Sequence, residues 1–230
     1  VYILGGDNHF SSFFRNATSP SRMTGHTVLD PSALLVNIKK FTSGYRIGNL
    51  FLREDGQLIS APKNAASFIQ NYYYENFIPS GEKIIDIDSG NASSLTDLIL
   101  LTDANTIYVF AFTYAMAGGG VGVDLVTSKT MPVQIKRVFQ YTSAKSGIKN
   151  FHYSLDINGT MYDYKFDEIS LPFKVQDFVQ THNTAEYVLL DTSGNVYEGN
   201  ANGYLSTYTS TTIPNDEKIA KISMVGNQDS

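Results

Sequence analysis

The feature that most constrains the fold is a short phrase of sequence that occurs four times. At residues 187–198 a hydrophobic run leads into a polar turn with Gly194, and a second hydrophobic run then begins with Val196 and Tyr197. Val, Leu and Tyr favour strands. Asp191 can accept hydrogen bonds from the backbone of the turn, and Gly adopts the positive φ that closes a short hairpin loop. The phrase therefore predicts a β-hairpin.

The other copies of this phrase lie at residues 50–59, 98–109 and 151–162. Gly56 and Gly159 occupy the position of Gly194, and the remaining copy has Asn105, a residue type that tolerates positive φ. Consecutive copies are 49, 54 and 35 residues apart. Units of roughly 40–50 residues are typical of four-stranded propeller blades, in which connecting loops absorb the variation.

A second repeated element precedes each hairpin, in which apolar residues are followed by polar or charged residues and then by another apolar residue. Its copies lie at residues 36–41, 83–87, 133–139 and 174–178, and a fifth copy at 218–222 has no hairpin after it. Residues 1–6 match the closing strand of the unit without its opening strand. Two interpretations remain open: the two ends complete one blade, or the chain is part of a longer array. We expect one domain over residues 1–230, as a segment of a longer chain.

One complete unit reads Lys-Val-x-Asp-Phe at residues 174–178, Val-Leu-Leu-Asp-x-x-Gly-x-Val-Tyr at 188–197 and Gly-Asn at 199–200. This unit resembles the repeat of the regulator of chromosome condensation family. The resemblance implies an all-β fold, a β-propeller of about five four-stranded antiparallel blades, or part of a larger propeller. The chain lacks the Trp-Gly that commonly follows Val-Tyr in that family. Only the fold is carried over, because the functional residues of the founding member are not matched.

Composition and charge narrow the range of partners. The net charge is -5 and the isoelectric point is about 5.3, which argues against a nucleic-acid surface built from clustered Lys and Arg. No apolar run approaches the length of a membrane helix, so we expect no membrane insertion. The absence of Cys excludes disulfides and thiolate metal sites but leaves the compartment open.

The residue types that carry chemistry form no recognisable active-site pattern. The four His residues are scattered without metal-ligand spacing, and each is expected to be a surface group or a hydrogen-bonded core group. Asp86 and Asp88 would share one strand face and could hold a hard cation, but the sequence lacks the EF-hand pattern. The Gly-rich run at 118–122 lacks the context of a phosphate-binding loop. The sequence therefore predicts no catalytic residue, no cofactor and no metal.

The most conspicuous loop has four aromatic residues among polar ones. Tyr72, Tyr73, Tyr74 and Phe77 could belong to an outer strand whose rings cover the next blade, or to a contact surface, since Tyr offers a large rigid area with a hydroxyl group. We predict that these four residues contribute to a partner surface. The prediction would be wrong if they were fully buried between blades.

Two further stretches carry structural expectations. Residues 7–27 form a polar but aromatic excursion, which we interpret as an ordered loop or a divergent outer strand. The Thr/Ser-rich stretch at 206–212 is expected to be a solvent-facing strand at a blade edge.

The preferred functional interpretation is a non-enzymatic interaction or scaffold module that presents loops and blade edges to a protein partner within a larger assembly. The alternative is a glycan- or receptor-binding, lectin-like propeller on a cell or virion surface, suggested by Tyr- and Asn-rich loops and low charge. A third interpretation is an enzyme with acidic residues gathered in the axial channel, because fold does not determine function.

Overall fold

The computed structural model describes residues 2–4, 10–15, 23–28, 37–44, 48–61, 69–70, 77–89, 97–114, 121–142, 150–180, 186–200, 205, 208–211 and 218–222. These residues form eighteen β-strands in five antiparallel sheets, and no helix occurs among them. Each sheet is built from strands that are consecutive in the chain.

Three of the sheets have four strands and two have three. Sheet 1 contains β1 (Tyr2–Leu4), β2 (Phe10–Arg15) and β3 (Met23–Val28). Sheet 2 contains β4 (Ile38–Gly44), β5 (Gly48–Arg53), β6 (Leu58–Ala61) and β7 (Ile69–Gln70). Sheet 3 contains β8 (Ile84–Ser89), β9 (Asp97–Thr102), β10 (Thr106–Tyr114) and β11 (Val121–Thr130). Sheet 4 contains β12 (Ile135–Thr142), β13 (Asn150–Asp156) and β14 (Met161–Tyr162). Sheet 5 contains β15 (Val175–Gln180), β16 (Glu186–Asp191), β17 (Val196–Asn200) and β18 (Tyr208–Thr211).

The four predicted hairpins are confirmed as the second and third strands of sheets 2 to 5. The repeated element before each hairpin is the first strand of the same sheet. Residues 218–222 form no strand. The excursion at 7–27 contains β2 and most of β3, so its strand interpretation is correct. The predicted solvent-facing strand is β18, at the edge of sheet 5.

Strand β9 shows why its sequence is apolar at consecutive positions instead of alternating. Leu98 and Leu100 pack with residues of sheet 2, while Ile99 and Leu101 pack with residues of sheet 4, and all four are fully buried. Successive side chains of a strand point to opposite faces of its sheet. A sheet covered on both faces therefore selects a continuous apolar run.

The hydrophobic core consists of separate layers between neighbouring sheets. One cluster joins sheets 2 and 3, a second joins sheets 3 and 4, and a third joins sheets 4 and 5. In the third cluster, Phe139 of β12 packs against Phe178 of β15 with ring centroids 5.2 Å apart. Sheets 2, 3 and 4 thus each pack face to face with the sheet that follows in the chain.

The turn glycines Gly159 and Gly194 also contact the segment that follows their own sheet. Gly159 has φ of 82°, and its carbonyl oxygen accepts a hydrogen bond of 2.8 Å from the amide of Val175, at the start of β15. A Cβ atom on Gly159 would lie 2.8 Å from the carbonyl oxygen of Val175. Gly194 makes the equivalent bond, of 3.2 Å, to the amide of Ile219. Glycine is therefore required here by close backbone approach as well as by positive φ.

Asn105 makes the joint between sheets 3 and 4 with different chemistry. Its φ is 61°, and its carbonyl oxygen accepts a bond from the amide of Met131. The side-chain amide donates to the carbonyl oxygens of Met131 and Val133 at 2.8 and 2.6 Å. The side-chain oxygen accepts from the amide of Ile135 at 2.8 Å. Asn thus provides the left-handed turn that Gly provides elsewhere, and adds two bonds to the connection before β12 and one bond to β12 itself.

Antiparallel sheets that pack face to face in chain order, each joined to the next by its hairpin turn, are the blades of a β-propeller. The expected fold class is confirmed by this arrangement. The first strands of sheets 2, 3 and 4 lie beside one another, as the innermost strands of blades do.

Candidate functional site

The first strands of sheets 2 to 5 share one irregularity. In each of them the register with the second strand shifts after the first paired residue. Such a β-bulge places an extra residue in one strand and redirects the side chains that follow it. In every case the first residue after the bulge is charged; these residues are Lys40, Asp86, Arg137 and Asp177.

These charged residues form ion pairs between neighbouring sheets. Lys40 of sheet 2 contacts Asp86 of sheet 3, with Nζ 2.7 Å from Oδ1. Arg137 of sheet 4 pairs with Asp177 of sheet 5 in the same way. Both Asp side chains are only 9% exposed, whereas the Lys and Arg side chains are 26% and 37% exposed. The pairs therefore connect consecutive blades at the ends of their first strands.

Asp86 and Asp88 share a face, as their spacing predicts. Asp86 Oδ2 accepts a bond from the amide of Val138, and Asp88 Oδ2 accepts one from the amide of Gln140, both at 2.9 Å. Both carboxylates thus reach from β8 to β12 of the next sheet. Burial raises the pKa of Asp88, although Lys40 and the two amides that bond to Asp88 oppose this rise. Within the described ranges, no three acidic or His side chains lie close enough together to hold a metal ion.

A group of buried polar side chains lies on the face of sheet 4 that packs against sheet 3. Gln140 and His152 are paired across β12 and β13, and Ser154 lies two residues further along β13 on the same face. The exposed fractions of these residues are 6%, 6% and 1%. Among the described residues, neither polar atom of the Gln140 side chain, nor His152 Nε2, nor Ser154 Oγ, has a hydrogen-bond partner. Buried polar atoms without partners are uncommon in folded proteins and destabilising.

His152 differs from the expectation of a surface group or a satisfied core group. Burial lowers its pKa from 6.5 to about 4, and the nearby Asp163 carboxylate only partly opposes this. The imidazole is therefore neutral at pH 7. Its ring lies 5.3 Å from the ring of Phe166. Nothing in the sequence around His152 indicated this environment, because it depends on which face of sheet 4 meets sheet 3.

Phe77 is the one residue of the predicted aromatic surface that lies within the described ranges. Its side chain is 36% exposed and packs edge to face on Phe110, with ring centroids 5.5 Å apart. Tyr72, Tyr73 and Tyr74 lie outside the described residues. The partner surface as a whole therefore stays a prediction.

A cleft of about 380 Å³ lies between sheets 2 and 3 and is lined by Ile78, the residue that follows Phe77 in the chain. One wall is the turn between β5 and β6, and the other is the segment at 78–84 that leads into β8. Leu58 and Ile78 give the cleft apolar surface, while Asp55, Glu82 and Lys83 provide charged groups. Glu82 also accepts a bond of 2.7 Å from the hydroxyl of Thr102, which fixes this wall to sheet 3.

Sequence reasoning found the first strands but missed the order of their charges. The four residues that follow the bulges are basic, acidic, basic and acidic in chain order. Aligning the repeated elements by their first apolar residue would have revealed this alternation. Among the residues that the structure describes, no helix has the length and hydrophobicity to span a bilayer.

Comparisons with known proteins support the propeller fold. The WD40 domain of SCAP from fission yeast is similar over 93% of this chain and 49% of its own, with 15% sequence identity and a TM-score of 0.57. The structure of BBS1N in complex with ARL6DN is similar over 98% of this chain and 68% of its own, with 13% identity and a TM-score of 0.53. The chain thus spans about half the length of the first of these structures.

The comparisons do not assign the chain to a repeat family. Yeast RCC1 (Prp20), solved with Kap60, is matched at a TM-score of 0.42, which is too low to support the resemblance drawn from the repeat. No protein-family model matches the sequence, and no curated protein sequence is similar enough to count as a relative. The structural similarities therefore establish architecture alone.

Proposed function

We propose that this chain is a non-enzymatic propeller module that binds a protein partner through the surface around Phe77. The observation that carries the proposal is the position of this ring. Phe77 is held by Phe110, yet more than a third of its surface remains exposed, and the next residue in the chain, Ile78, lines a cleft between two blades. Rigidly held aromatic side chains beside a pocket are typical centres of protein interfaces.

The cleft fits an extended or looped segment of the partner. An apolar side chain of that segment would lie between Leu58 and Ile78, with its neighbours close to Phe77. The preceding residues Tyr72, Tyr73 and Tyr74 would extend the contact with aromatic and hydroxyl groups. Asp55 and Glu82 favour a partner segment with basic residues at its edge.

The first strands support a structural role instead of an axial active site. The oxygens of Asp86 accept bonds from Lys40 and from the amide of Val138, so this carboxylate connects three consecutive blades. Asp177 pairs with Arg137 and accepts a bond from the amide of Phe178. Carboxylates used in this way stabilise the ring of blades. The solved complex of BBS1N with ARL6DN is an example of a similar fold bound to a protein.

A site-specific photo-crosslinking experiment tests the proposal. Benzoylphenylalanine replaces Phe77 in one variant, and in a matched control it replaces Val126 of β11, which is 60% exposed. We expect a discrete protein adduct only from position 77. Phe77→Ala should then weaken binding of the captured partner by about tenfold or more, while circular dichroism remains that of the folded chain.

A glycan array probed with the unmodified chain and with Phe77→Ala separates the protein-binding proposal from the lectin-like alternative. Specific glycan binding that requires Phe77, without any protein adduct at position 77, would contradict a protein partner. Identical adducts from positions 77 and 126 would contradict the proposed surface itself.

A further inference from the structure

The charged residues after the bulges extend to a fifth position. The amide of Ile219 bonds to Gly194 as the amide of Val175 bonds to Gly159, so Ile219 corresponds to Val175. Gln176 Nε2 also donates to the carbonyl oxygen of Ala220 at 2.8 Å, which places this segment beside sheet 5. By this correspondence Lys221 takes the place of the charged residue. The order is then basic, acidic, basic, acidic and basic.

The two described ion pairs that join neighbouring sheets follow one rule of direction. The base belongs to one sheet and the acid to the sheet that follows it in the chain, as Lys40 with Asp86 and Arg137 with Asp177 show. The acid of each pair is almost completely buried, so it is committed to its own base. Under the same rule, the partner of Lys221 is an acid on the first strand of the sheet that follows.

Both acids at this position in the described strands are already paired with a base. Within the described part of the chain, no carboxylate forms an ion pair with Lys221. Five alternating charges also cannot close into a ring without placing two like charges together. If residues 218–222 formed the first strand of sheet 1, Lys221 would lie next to Lys40, and the two ammonium groups would repel each other.

We propose that a further first strand, with Asp or Glu as the first residue after its bulge, lies between Lys221 and Lys40 and forms an ion pair with Lys221. This strand belongs to an additional blade of the same propeller. In this arrangement residues 218–222 and sheet 1 belong to different blades. The two ends of the chain then do not complete one blade, and the chain is part of a longer array. It rests on the charge order of the first strands and is independent of the surface around Phe77.

Zero-length carbodiimide cross-linking of the intact natural protein, followed by peptide mass spectrometry, tests this proposal. The reagent joins amines only to carboxylates in direct contact, and a link between Lys40 and Asp86 is the internal control. We expect Lys221 to link to an Asp or Glu outside residues 1–230. A link from Lys221 to an acid within residues 1–230, in the same or another copy, would overturn the proposal. So would the absence of any Lys221 link when the control link forms.

A charge reversal in the same intact protein provides a second measurement. Lys221→Asp should lower the melting temperature by about 2–4 °C, whereas Lys136→Asp, which changes an exposed Lys at the bulge itself, should have a smaller effect. Changing the cross-linked acid to Lys in the Lys221→Asp background should restore the melting temperature. Equal effects of the two single variants, or no recovery in the double variant, would contradict the ion pair.

Discussion

The two interfaces of sheet 4 are built from different chemistry although they hold the same kind of blade. The interface with sheet 5 is rich in aromatic residues. Phe178 lies at its centre, with ring centroids 5.2 Å from Phe139, 5.8 Å from Tyr153 and 6.1 Å from Tyr187. Its joint is the close approach of Gly159 to Val175. Apart from the ion pair of Arg137 with Asp177, this interface depends on shape and on apolar burial.

The interface with sheet 3 combines aliphatic packing with polar contacts. Its apolar cluster is made of residues from β9, β10 and β12 together with Met131. Its joint is the side chain of Asn105, and Asp86 and Asp88 bond across it to backbone amides of β12. The unpartnered polar atoms of Gln140, His152 and Ser154 lie on this side of sheet 4.

The two interfaces show that blade geometry determines where two sheets meet but not which types of side chain form the contact. Rings fill the interface between sheets 4 and 5, and their stabilisation does not depend on protonation. The interface between sheets 3 and 4 depends on hydrogen bonds and on a neutral His152, so individual residues and pH should affect it more. Three measurements test this contrast.

The largest effect is expected at the joint between sheets 4 and 5. Gly159→Ala places a methyl group 2.8 Å from the carbonyl oxygen of Val175 at a φ of 82°. We expect it to lower the free energy of unfolding by about 4 kcal/mol, from backbone strain and steric overlap together. Gly81 is the matched control, because its φ is 100° and its Cβ would meet nothing within 4 Å. Gly81→Ala should lower the free energy of unfolding by about 1 kcal/mol. If urea denaturation gave equal losses for the two variants, close approach to Val175 would not explain the effect of Gly159→Ala.

The polar joint at Asn105 should be weaker than the glycine joint but still substantial. Asn105→Ala removes three side-chain hydrogen bonds to the connection before β12 and to the start of β12, at a φ of 61°. We expect a loss of about 3 kcal/mol in the free energy of unfolding. Asn105→Gly removes the same bonds but adopts positive φ without strain, so it should lower the free energy of unfolding by about 2 kcal/mol. If Asn105→Gly were neutral, the side-chain bonds would contribute nothing and the two joints would be equivalent.

The pH dependence of the interface between sheets 3 and 4 should give the smallest effect. His152 has a pKa of about 4 in the folded chain and of 6.5 when unfolded, so the unfolded state binds more protons between these values. The contribution of neutral His152 to the free energy of unfolding is complete above pH 6.5 and is lost as the pH falls toward 4. At pH 5 the free energy of unfolding should therefore be lower by about 2 kcal/mol than at high pH.

Chemical denaturation of the unmodified chain and of His152→Gln at pH 7 and pH 5 isolates this contribution, because the other three His residues are common to both. His152→Gln should remove most of the loss between the two pH values. An unchanged pH dependence in this variant would show that His152 is not held neutral by burial, and the contrast between the two interfaces would then lose its electrostatic part.

The hairpins were predictable because their information is local. Asp191 accepts bonds of 2.8 Å from the amides of Ser193 and Asn195, which is the turn chemistry that its sequence position indicates. Asn105 at a glycine position was identified by the same reasoning, and its φ is positive. What the local pattern did not reveal is the second role of these turns, because the residues that approach them lie 16 to 30 positions further along the chain.

The candidate site was predictable only in part. Phe77 was selected from its aromatic neighbours and its role in a partner surface stays a prediction, whereas the cleft lined by Ile78 is formed by residues from two sheets. The buried environment of His152 was not predictable, because it requires knowledge of which faces of two sheets meet. The charge order of the first strands was present in the sequence, but only the pairing of Lys40 with Asp86 gives it a meaning.

Local sequence was sufficient to identify the strands, the hairpin turns and a repeating unit about as long as one blade. Strand propensity and turn geometry act over a few neighbouring residues, so they can be read without the tertiary structure. The tertiary structure was needed to show which glycines lack room for a Cβ atom and which carboxylates connect consecutive blades. It was also needed to show which polar side chains are buried without partners among the described residues. These properties arise where two sheets come together, and contacts between distant parts of the chain exist only after the chain has folded.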